Sequence, residues 1–165
     1  MADLFPDLPP AAPPGFRYAD ALLDADASWA MIAMLERVEV APFRFQGWLG
    51  KRMTASFGWR YDFDDGSFTA GAALPDWLLP LRAQAADFAA LDPESLVQVL
   101  LTRYDPGAGI GWHKDRPVYG HVIGISIGAA CDLRLRRRRA GGTGFDRLSV
   151  PLPPRSAYRL SGEAR

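Results

Sequence analysis

Apolar residues recur with two different periods in the first half of the chain. From Asp24 or Asp26, either of which is a plausible N-cap, to Val38, they fall near helical spacing at Trp29, Ile32, Ala33 and Leu35. This pattern predicts one amphipathic helix. Residues 75–90 predict a second helix, with Pro75 and Pro80 in its first turn and a broad apolar face made by Trp77, Leu78, Leu81, Ala85 and Phe88.

A period of two follows in other segments and predicts β-strands. Phe43 and Phe45, then Met53, Ala55 and Phe57, alternate with polar or small residues, and Gly47 and Gly50 lie at the expected bend, so a hairpin is predicted. From Leu96 onward, β-rich runs cover residues 96–104, 122–128, 131–136, 147–152 and 156–160. This order of elements indicates an α+β chain whose second half is a β-sandwich or jelly roll.

Composition limits the class of protein. A chain of 165 residues with 48% hydrophobic residues can bury one substantial core, so we predict a single domain over residues 16–165 after a Pro-rich lead segment, residues 1–15. No apolar run has the length of a membrane span, and a cytoplasmic location is the expectation. The single cysteine, Cys131, excludes an internal disulfide and is predicted to be a buried apolar residue.

Charge is balanced overall but unevenly distributed. Residues 1–95 hold 7 Lys and Arg against 14 Asp and Glu, whereas residues 96–165 hold 12 against 5. Much of this excess comes from one cluster: Arg134, Arg136, Arg137, Arg138 and Arg139. Such a cluster could contact phosphates or form a solvated face, and the sequence leaves both interpretations open.

One pair of residues has the spacing of metal ligands. If residues 113–115 are extended, His113 and Asp115 point to the same face, so an imidazole and a carboxylate can converge on one cation. By itself this spacing is weak evidence, because such a pair can equally form a hydrogen bond at the end of a strand.

Three ordered motifs resemble those of the AlkB-like 2-oxoglutarate- and Fe(II)-dependent dioxygenases. They are the segment from Gly50 to Tyr61, the segment from Arg103 to Asp115 with its sequence Arg-Tyr-x-Pro-Gly-x-Gly-Ile-Gly-Trp-His-x-Asp, and the segment from Leu160 to Arg165. The resemblance extends from roughly Phe43 to Arg165. It implies a double-stranded β-helix (jelly roll) with N-terminal helices and a lid hairpin, and it implies Fe(II) and 2-oxoglutarate as cofactor and co-substrate.

The resemblance also implies roles for individual residues. His113 and Asp115 would be the catalytic metal ligands, and the hydroxyl of Tyr104 would hold 2-oxoglutarate. Arg52, Trp59 and Tyr61 would contact substrate, although Trp59 and Tyr61 could instead simply pack the hairpin. Thr102 stands where the family often has Asn, so no co-substrate contact is expected there.

The implied reaction is oxidative dealkylation. A carbon attached to nitrogen is hydroxylated while 2-oxoglutarate is decarboxylated to succinate, and the hydroxylated group leaves as an aldehyde. N-alkylated bases in DNA or RNA are the expected substrates, because lid aromatics suit a flipped base, and a methylated protein side chain is the alternative.

The family pattern has a second ligand histidine and two arginines that bind 2-oxoglutarate after a position equivalent to Arg165, and His121 does not match that histidine. The fold is therefore expected to lack its closing C-terminal strands, and the chain to be a shortened form of an active enzyme. A non-catalytic nucleic-acid-binding homologue and a cupin-like sandwich are the alternatives.

Overall fold

Antiparallel strands provide most of the regular structure in the computed structural model, which describes residues 12–45, 48–61 and 65–165. In chain order the elements are β1 (Arg17–Ala19), α1 (Ala25–Leu35), β2 (Ala41–Phe45), β3 (Trp48–Tyr61), β4 (Phe68–Ala70), α2 (Leu79–Ala89), β5 (Gln98–Arg103), β6 (His121–Ile125), β7 (Cys131–Arg138), β8 (Phe145–Leu152) and β9 (Ala157–Ser161). Short 3₁₀ helices lie at Asp76–Leu78, Pro93–Ser95 and Gly162–Ala164. The chain divides into two compact units: a terminal unit, Met1–Ile32 with Lys114–Arg165, and a central unit, Ala33–His113.

The terminal unit is built from a three-stranded sheet and a hairpin that share one core. The sheet has the order β1-β9-β6, and β7 pairs with β8. Both pairings of β9 and the β7–β8 pairing are antiparallel. The buried core contains side chains from the segment before β1, from β8, from β9 and from the last 3₁₀ helix: Phe16, Val150, Leu152, Leu160 and Ala164. Leu133 and Leu135 of β7 pack against this core from the hairpin.

The described end of the Pro-rich segment forms a turn that is attached to β9. Phe16 N donates to Pro13 O, and both the backbone N and the Oγ of Ser161 donate to Gly15 O, at 3.2 and 3.0 Å. Gly15 has φ +89°, and a Cβ there would meet the Ser161 carbonyl, so the close approach requires glycine. Residues 1–11 of the predicted lead segment lie outside the described residues.

Helix α1 begins as predicted but buries a different side. Asp24 Oδ1 accepts a hydrogen bond from Ala27 N at 2.7 Å, which confirms Asp24 as the cap. The helix ends at Leu35 rather than Val38, Ser28 is its buried residue, and Trp29 is 70% exposed. The predicted apolar face through Trp29 was therefore wrong. Alanine and methionine occupy several sides of this helix, so its apolar periodicity gave little directional information.

The central unit is organised by β3, a strand of 14 residues. It pairs antiparallel with β2, β5 and β4 in turn. The β2–β3 pairing confirms the predicted hairpin, although Gly50 lies within β3 rather than at the bend, and Gly47 lies outside the described residues. Helix α2 has Pro80 in its first turn, as predicted, but it begins at Leu79, so Pro75 precedes the 3₁₀ helix Asp76–Leu78 instead of lying in α2. The helix ends at Ala89, and its cap residue Ala90 is left-handed (φ 54°).

The predicted strands of the second half are confirmed with small shifts in their ends, whereas β1 and β4 were not predicted. The described strands form no closed barrel, and the mixed, mostly antiparallel architecture is compatible with the jelly roll of a 2-oxoglutarate oxygenase. Cys131 is exposed, contrary to the prediction, because it is the first residue of β7, beyond the leucines that reach the core. No helix in the described parts is long and apolar enough to cross a membrane. The single-domain assignment for residues 16–165 stays a prediction.

Tyr18 of β1 makes the stability of the terminal unit sensitive to alkaline pH. Burial, and then the hydrogen bond and charge of Asp20, raise the pKa of Tyr18 to about 12, while a hydrogen bond with Ser156 acts in the opposite direction. An unfolded tyrosine ionises near pH ~10, so the folded state holds the phenol proton more tightly. The stabilisation is fully present below about pH 10 and is lost as the pH rises towards about 12.

We therefore expect the free energy of unfolding to fall less steeply in Tyr18→Phe than in the unmodified protein between about pH 10 and 12. Chemical denaturation at a series of pH values measures this. Equal slopes in the two proteins would contradict the expectation.

Candidate functional site

Most residues of the motif from Arg103 to Asp115 lie in a loop. Strand β5 ends at Arg103, and residues 104–120 contain no helix or strand before β6 begins at His121. Arg103 Nε forms an ion pair with Asp105 Oδ1 at 2.9 Å, and Ala108 N closes a turn onto Asp105 O. The motif is thus a turn-rich segment, because glycine and proline interrupt any ladder of backbone hydrogen bonds.

Tyr104 directly follows β5 and is 49% exposed. Its role towards 2-oxoglutarate stays a prediction. Thr102, two residues earlier, is half-buried and pairs with Thr54 of β3. The β3–β5 pairing therefore fixes the backbone immediately before Tyr104.

The imidazole of His113 is oriented by its own loop. Nδ1 lies 2.9 Å from the carbonyl oxygen of Gly111. Since a carbonyl oxygen can only accept, Nδ1 is the donor in this contact, and in a neutral ring the lone pair is then on Nε2. This is the tautomer in which a histidine binds a divalent metal through Nε2 while a backbone carbonyl fixes its ring.

Asp115 lies in the terminal unit, in a segment that is attached to the last described residue. Asp115 and Arg116 are half-buried, and Tyr119 N donates to Arg116 O in a turn. Arg165 Nη1 lies 3.4 Å from the carbonyl oxygens of both Arg116 and Pro117. The Gly-Glu-x-Arg segment thereby holds the backbone just after Asp115, a contact that sequence patterns alone did not reveal.

His113 and Asp115 belong to different compact units, since the boundary falls between His113 and Lys114. Their convergence on one cation stays a prediction. His121 is exposed and is the first residue of β6, where it pairs with Ser161.

The glycines of the motif are not explained by packing. A Cβ at Gly109 or Gly111 would meet no atom within 4 Å, and their φ angles are not positive. Only Gly107, at φ +80°, adopts a conformation that favours glycine.

The lid-like hairpin carries the predicted substrate residues. Arg52 of β3 places its guanidinium carbon 3.9 Å from the ring centre of Phe43 in β2, a cation–π contact. Trp59 stacks on Phe68 of β4, with ring centres 5.3 Å apart and planes 5° from parallel. Tyr61 pairs with Phe68 through the backbone, and its side chain lies outside the described residues.

Gly58 determines where Trp59 lies. Up to Gly58 the strand β3 pairs with β5, and from Trp59 it pairs with β4. Gly58 has φ +79°; its N donates to Ala72 O at 2.6 Å and its carbonyl accepts from Gly71 N at 2.8 Å. This change of partner brings Trp59 beside Phe68. The strand of Phe68, β4, was not predicted because its three residues carry too little periodicity.

A comparison with known families decides the class. Residues 22–165 match the model of the 2OG-Fe(II) oxygenase superfamily. The chain belongs to this superfamily. Oxidative, 2-oxoglutarate-dependent chemistry of the dioxygenase class follows from the membership, with Fe(II) and 2-oxoglutarate as the groups such oxygenases use.

The donors in the described part of this 2OG-Fe(II) oxygenase do not complete a metal site. A facial triad for Fe(II) needs two histidines and a carboxylate. Among the described residues no three His, Cys, Asp or Glu side chains lie close enough together to hold a metal ion. His113 has the appropriate tautomer for one ligand position, but the full set does not fit.

The role of Gly58 leads to a stability prediction. A Cβ at Gly58 would meet the carbonyl oxygen of Val97 in addition to requiring a strained φ. Gly58→Ala should lower the free energy of unfolding by about 1–3 kcal/mol. Gly50→Ala in the same strand is the matched control, because a Cβ there makes only ordinary contacts with Phe43 at 3.5 Å or more. Equal effects of the two substitutions in urea denaturation would contradict the assignment.

Proposed function

We propose that this 2OG-Fe(II) oxygenase is AlkB-like and acts on N-alkylated bases of nucleic acid, removing the alkyl group by oxidation while 2-oxoglutarate is converted to succinate. The observation that carries the proposal is the exposed stack of Trp59 on Phe68. The rings are nearly parallel, and Trp59 and Phe68 remain 42% and 36% exposed. Exposed aromatic faces of this kind suit a base, since every base has a π-face to stack.

Exposed positive charges lie along the same hairpin. Arg60 is next to Trp59 in β3, whereas Lys51 of β3, Arg44 of β2 and Arg52, which lies over Phe43, belong to the other end of the hairpin. A hairpin with both aromatic and basic side chains can combine base stacking with attraction for phosphates. We assign Arg52, Trp59 and Tyr61 to substrate contact on this basis.

The same proposal assigns the site residues of the loop. His113 and Asp115 are the proposed metal ligands, and the Nδ1 hydrogen bond to Gly111 supports the role of His113. Tyr104 is the proposed partner of 2-oxoglutarate, and its exposure leaves it accessible to a co-substrate. These residues would bind and orient; no reaction step is assigned to them individually.

A second candidate is a nucleic-acid-binding homologue without catalysis. The observation that favours it is that the described residues bring no three potential ligands together. A methylated protein side chain as substrate has no comparable observation in its favour.

One experiment separates these functions. The purified chain is supplied with Fe(II) and 2-oxoglutarate, and succinate and formaldehyde are measured with an N-methylated oligonucleotide or a methylated peptide, while fluorescence anisotropy measures oligonucleotide binding. The proposed dealkylase function requires succinate and formaldehyde with the oligonucleotide. Oligonucleotide binding without either product would establish the non-catalytic alternative, and turnover with the peptide alone would overturn the nucleic-acid assignment.

The stack itself leads to a binding prediction. Trp59→Ala should weaken binding of an N-methylated single-stranded oligonucleotide by about 1–3 kcal/mol, and the loss should be similar at low and high salt, because stacking is not screened. Trp29→Ala, at an exposed tryptophan of α1, is the control. A loss that disappears as the salt concentration rises, or an equal loss in the control, would show that Trp59 does not stack on the base.

A further inference from the structure

The β7–β8 hairpin separates its arginines onto two faces. Leu133 and Leu135 of β7 pair with Val150 and Leu148 of β8, and all four side chains belong to the core or pack against it. Strand side chains alternate, so the intervening residues point outwards. They include four exposed arginines, here called the arginine face: Arg134, Arg136, Arg138 and Arg147.

The arginine face concentrates positive charge at a cost to the fold. Arg136 lies directly opposite Arg147 in the register. Like charges directly opposite each other on paired strands are destabilising. Residues 131–152 contain six Arg and two Asp, a net charge of +4 in a chain whose formal net charge is zero. Such a concentration of positive charge attracts polyanions.

Two of the outward guanidinium groups are held in place by an aromatic ring. The guanidinium carbons of Arg136 and Arg138 lie 4.4 and 5.5 Å from the ring centre of Phe145, which is the cross-strand neighbour of Arg138. Cation–π contact restricts the long side chains. The arginine face is therefore partly ordered before any ligand binds.

Arg137 and Arg139 of the hairpin form ion pairs with carboxylates. Arg137 Nη1 lies 2.9 Å from Glu163 Oε1, and Arg139 Nε lies 3.0 Å from Asp146 Oδ1. Arg137 also lies 3.8 Å from Asp146 Oδ2. The Arg139 ion pair joins the two strands of the hairpin near its tip, and the Arg137–Glu163 ion pair joins the hairpin to the last 3₁₀ helix. Arg137 and Arg139 therefore have a structural role.

We propose that the arginine face binds the phosphate backbone of a nucleic-acid strand, a role that rests on the proposed function. Alternate residues on β7 are about 6.7 Å apart, roughly twice the 3.4 Å rise per nucleotide along one strand of a duplex. Planar guanidinium groups match phosphate oxygens bidentately. Phe145, the aromatic residue of this face, is half-buried beneath the guanidinium groups, so the face lacks the apolar anchors typical of protein interfaces.

The test measures the salt dependence of binding to an unmodified single-stranded oligonucleotide by fluorescence anisotropy. Arg136→Gln with Arg147→Gln should make the slope of log K against log salt shallower by about 1.4, so that the affinity gap to the unmodified protein narrows about sevenfold between about 50 and 200 mM salt. Arg137→Gln with Arg139→Gln is the matched control, with the same charge change on the same hairpin. It should change the slope by much less.

Stability provides a second measurement. Because Arg136 and Arg147 repel each other, the Tm of Arg136→Gln with Arg147→Gln should equal or exceed that of the unmodified protein, whereas a structural role would lower it. Loss of binding accompanied by a lower Tm, or equal slope changes in the two double variants, would overturn the proposal. So would displacement of the oligonucleotide by polyglutamate at equal charge concentration, which would indicate an acidic protein partner.

The outcome is separate from that of the proposed function. Because the oligonucleotide is unmodified, an intact arginine face should bind it whether or not the protein prefers alkylated bases. Binding through this face without any preference for an N-methylated oligonucleotide would leave the arginine-face proposal standing and contradict the dealkylase function. A preference for the methylated oligonucleotide with no effect of the Arg136 and Arg147 substitutions would support the dealkylase function and contradict the arginine-face proposal.

Discussion

Burial of Phe16, Val150, Leu152 and Leu160 in one core determines which side of the β7–β8 hairpin faces solvent. Because strand side chains alternate, a slip of one residue in the register would turn the outward arginines into the core and expose the leucines. The cost of burying even one unpaired charge far exceeds that of any single surface contact. The core therefore fixes the register strictly, and the charged surface of the terminal unit depends on this packing.

In the central unit, the comparable constraint is the backbone of β3. The strand is too long to keep one partner, and it changes from β5 to β4 at Gly58. Only a residue without a Cβ fits beside the Val97 carbonyl at a positive φ. The position of Trp59 beside Phe68 is thus a consequence of backbone geometry, and its ring remains exposed because β4 is only three residues long.

Sequence patterns predicted the helices and strands better than the contacts that these elements make. Both helices, the β2–β3 hairpin and the strands of the second half could be predicted, because helix caps, proline positions and alternation are local properties. Strand β1 was missed, since three residues carry too little periodicity, and its pairing with β9 joins positions far apart in the chain. The exposure of Trp29 and Cys131 could not be predicted for a related reason: burial depends on what packs against a residue.

In the candidate site, too, sequence patterns predicted the motif but not the contacts of its residues. The motif from Arg103 to Asp115 indicated a 2-oxoglutarate- and Fe(II)-dependent dioxygenase, and the match over residues 22–165 confirms the superfamily. It did not predict the turns of the loop, the hydrogen bond of His113 Nδ1 with Gly111, or the attachment of Arg165 to the segment after Asp115. These features arise from contacts between backbone and side chains that leave no periodic signature.

Superfamily membership determines the type of oxidation but not the substrate, because the Fe(II) chemistry is supplied by the cofactor and the protein selects what is presented to it. The two proposals rest on physically different interactions. The proposed stacking at Trp59 and Phe68 is a short-range contact that is insensitive to salt, so it would distinguish planar groups such as bases from other groups. The proposed charge interaction at Arg136 and Arg147 acts over about a Debye length and does not distinguish sequences, so it would increase encounter with any polyanion. Because one interaction depends on salt and the other does not, the salt dependence of binding separates the two proposals experimentally.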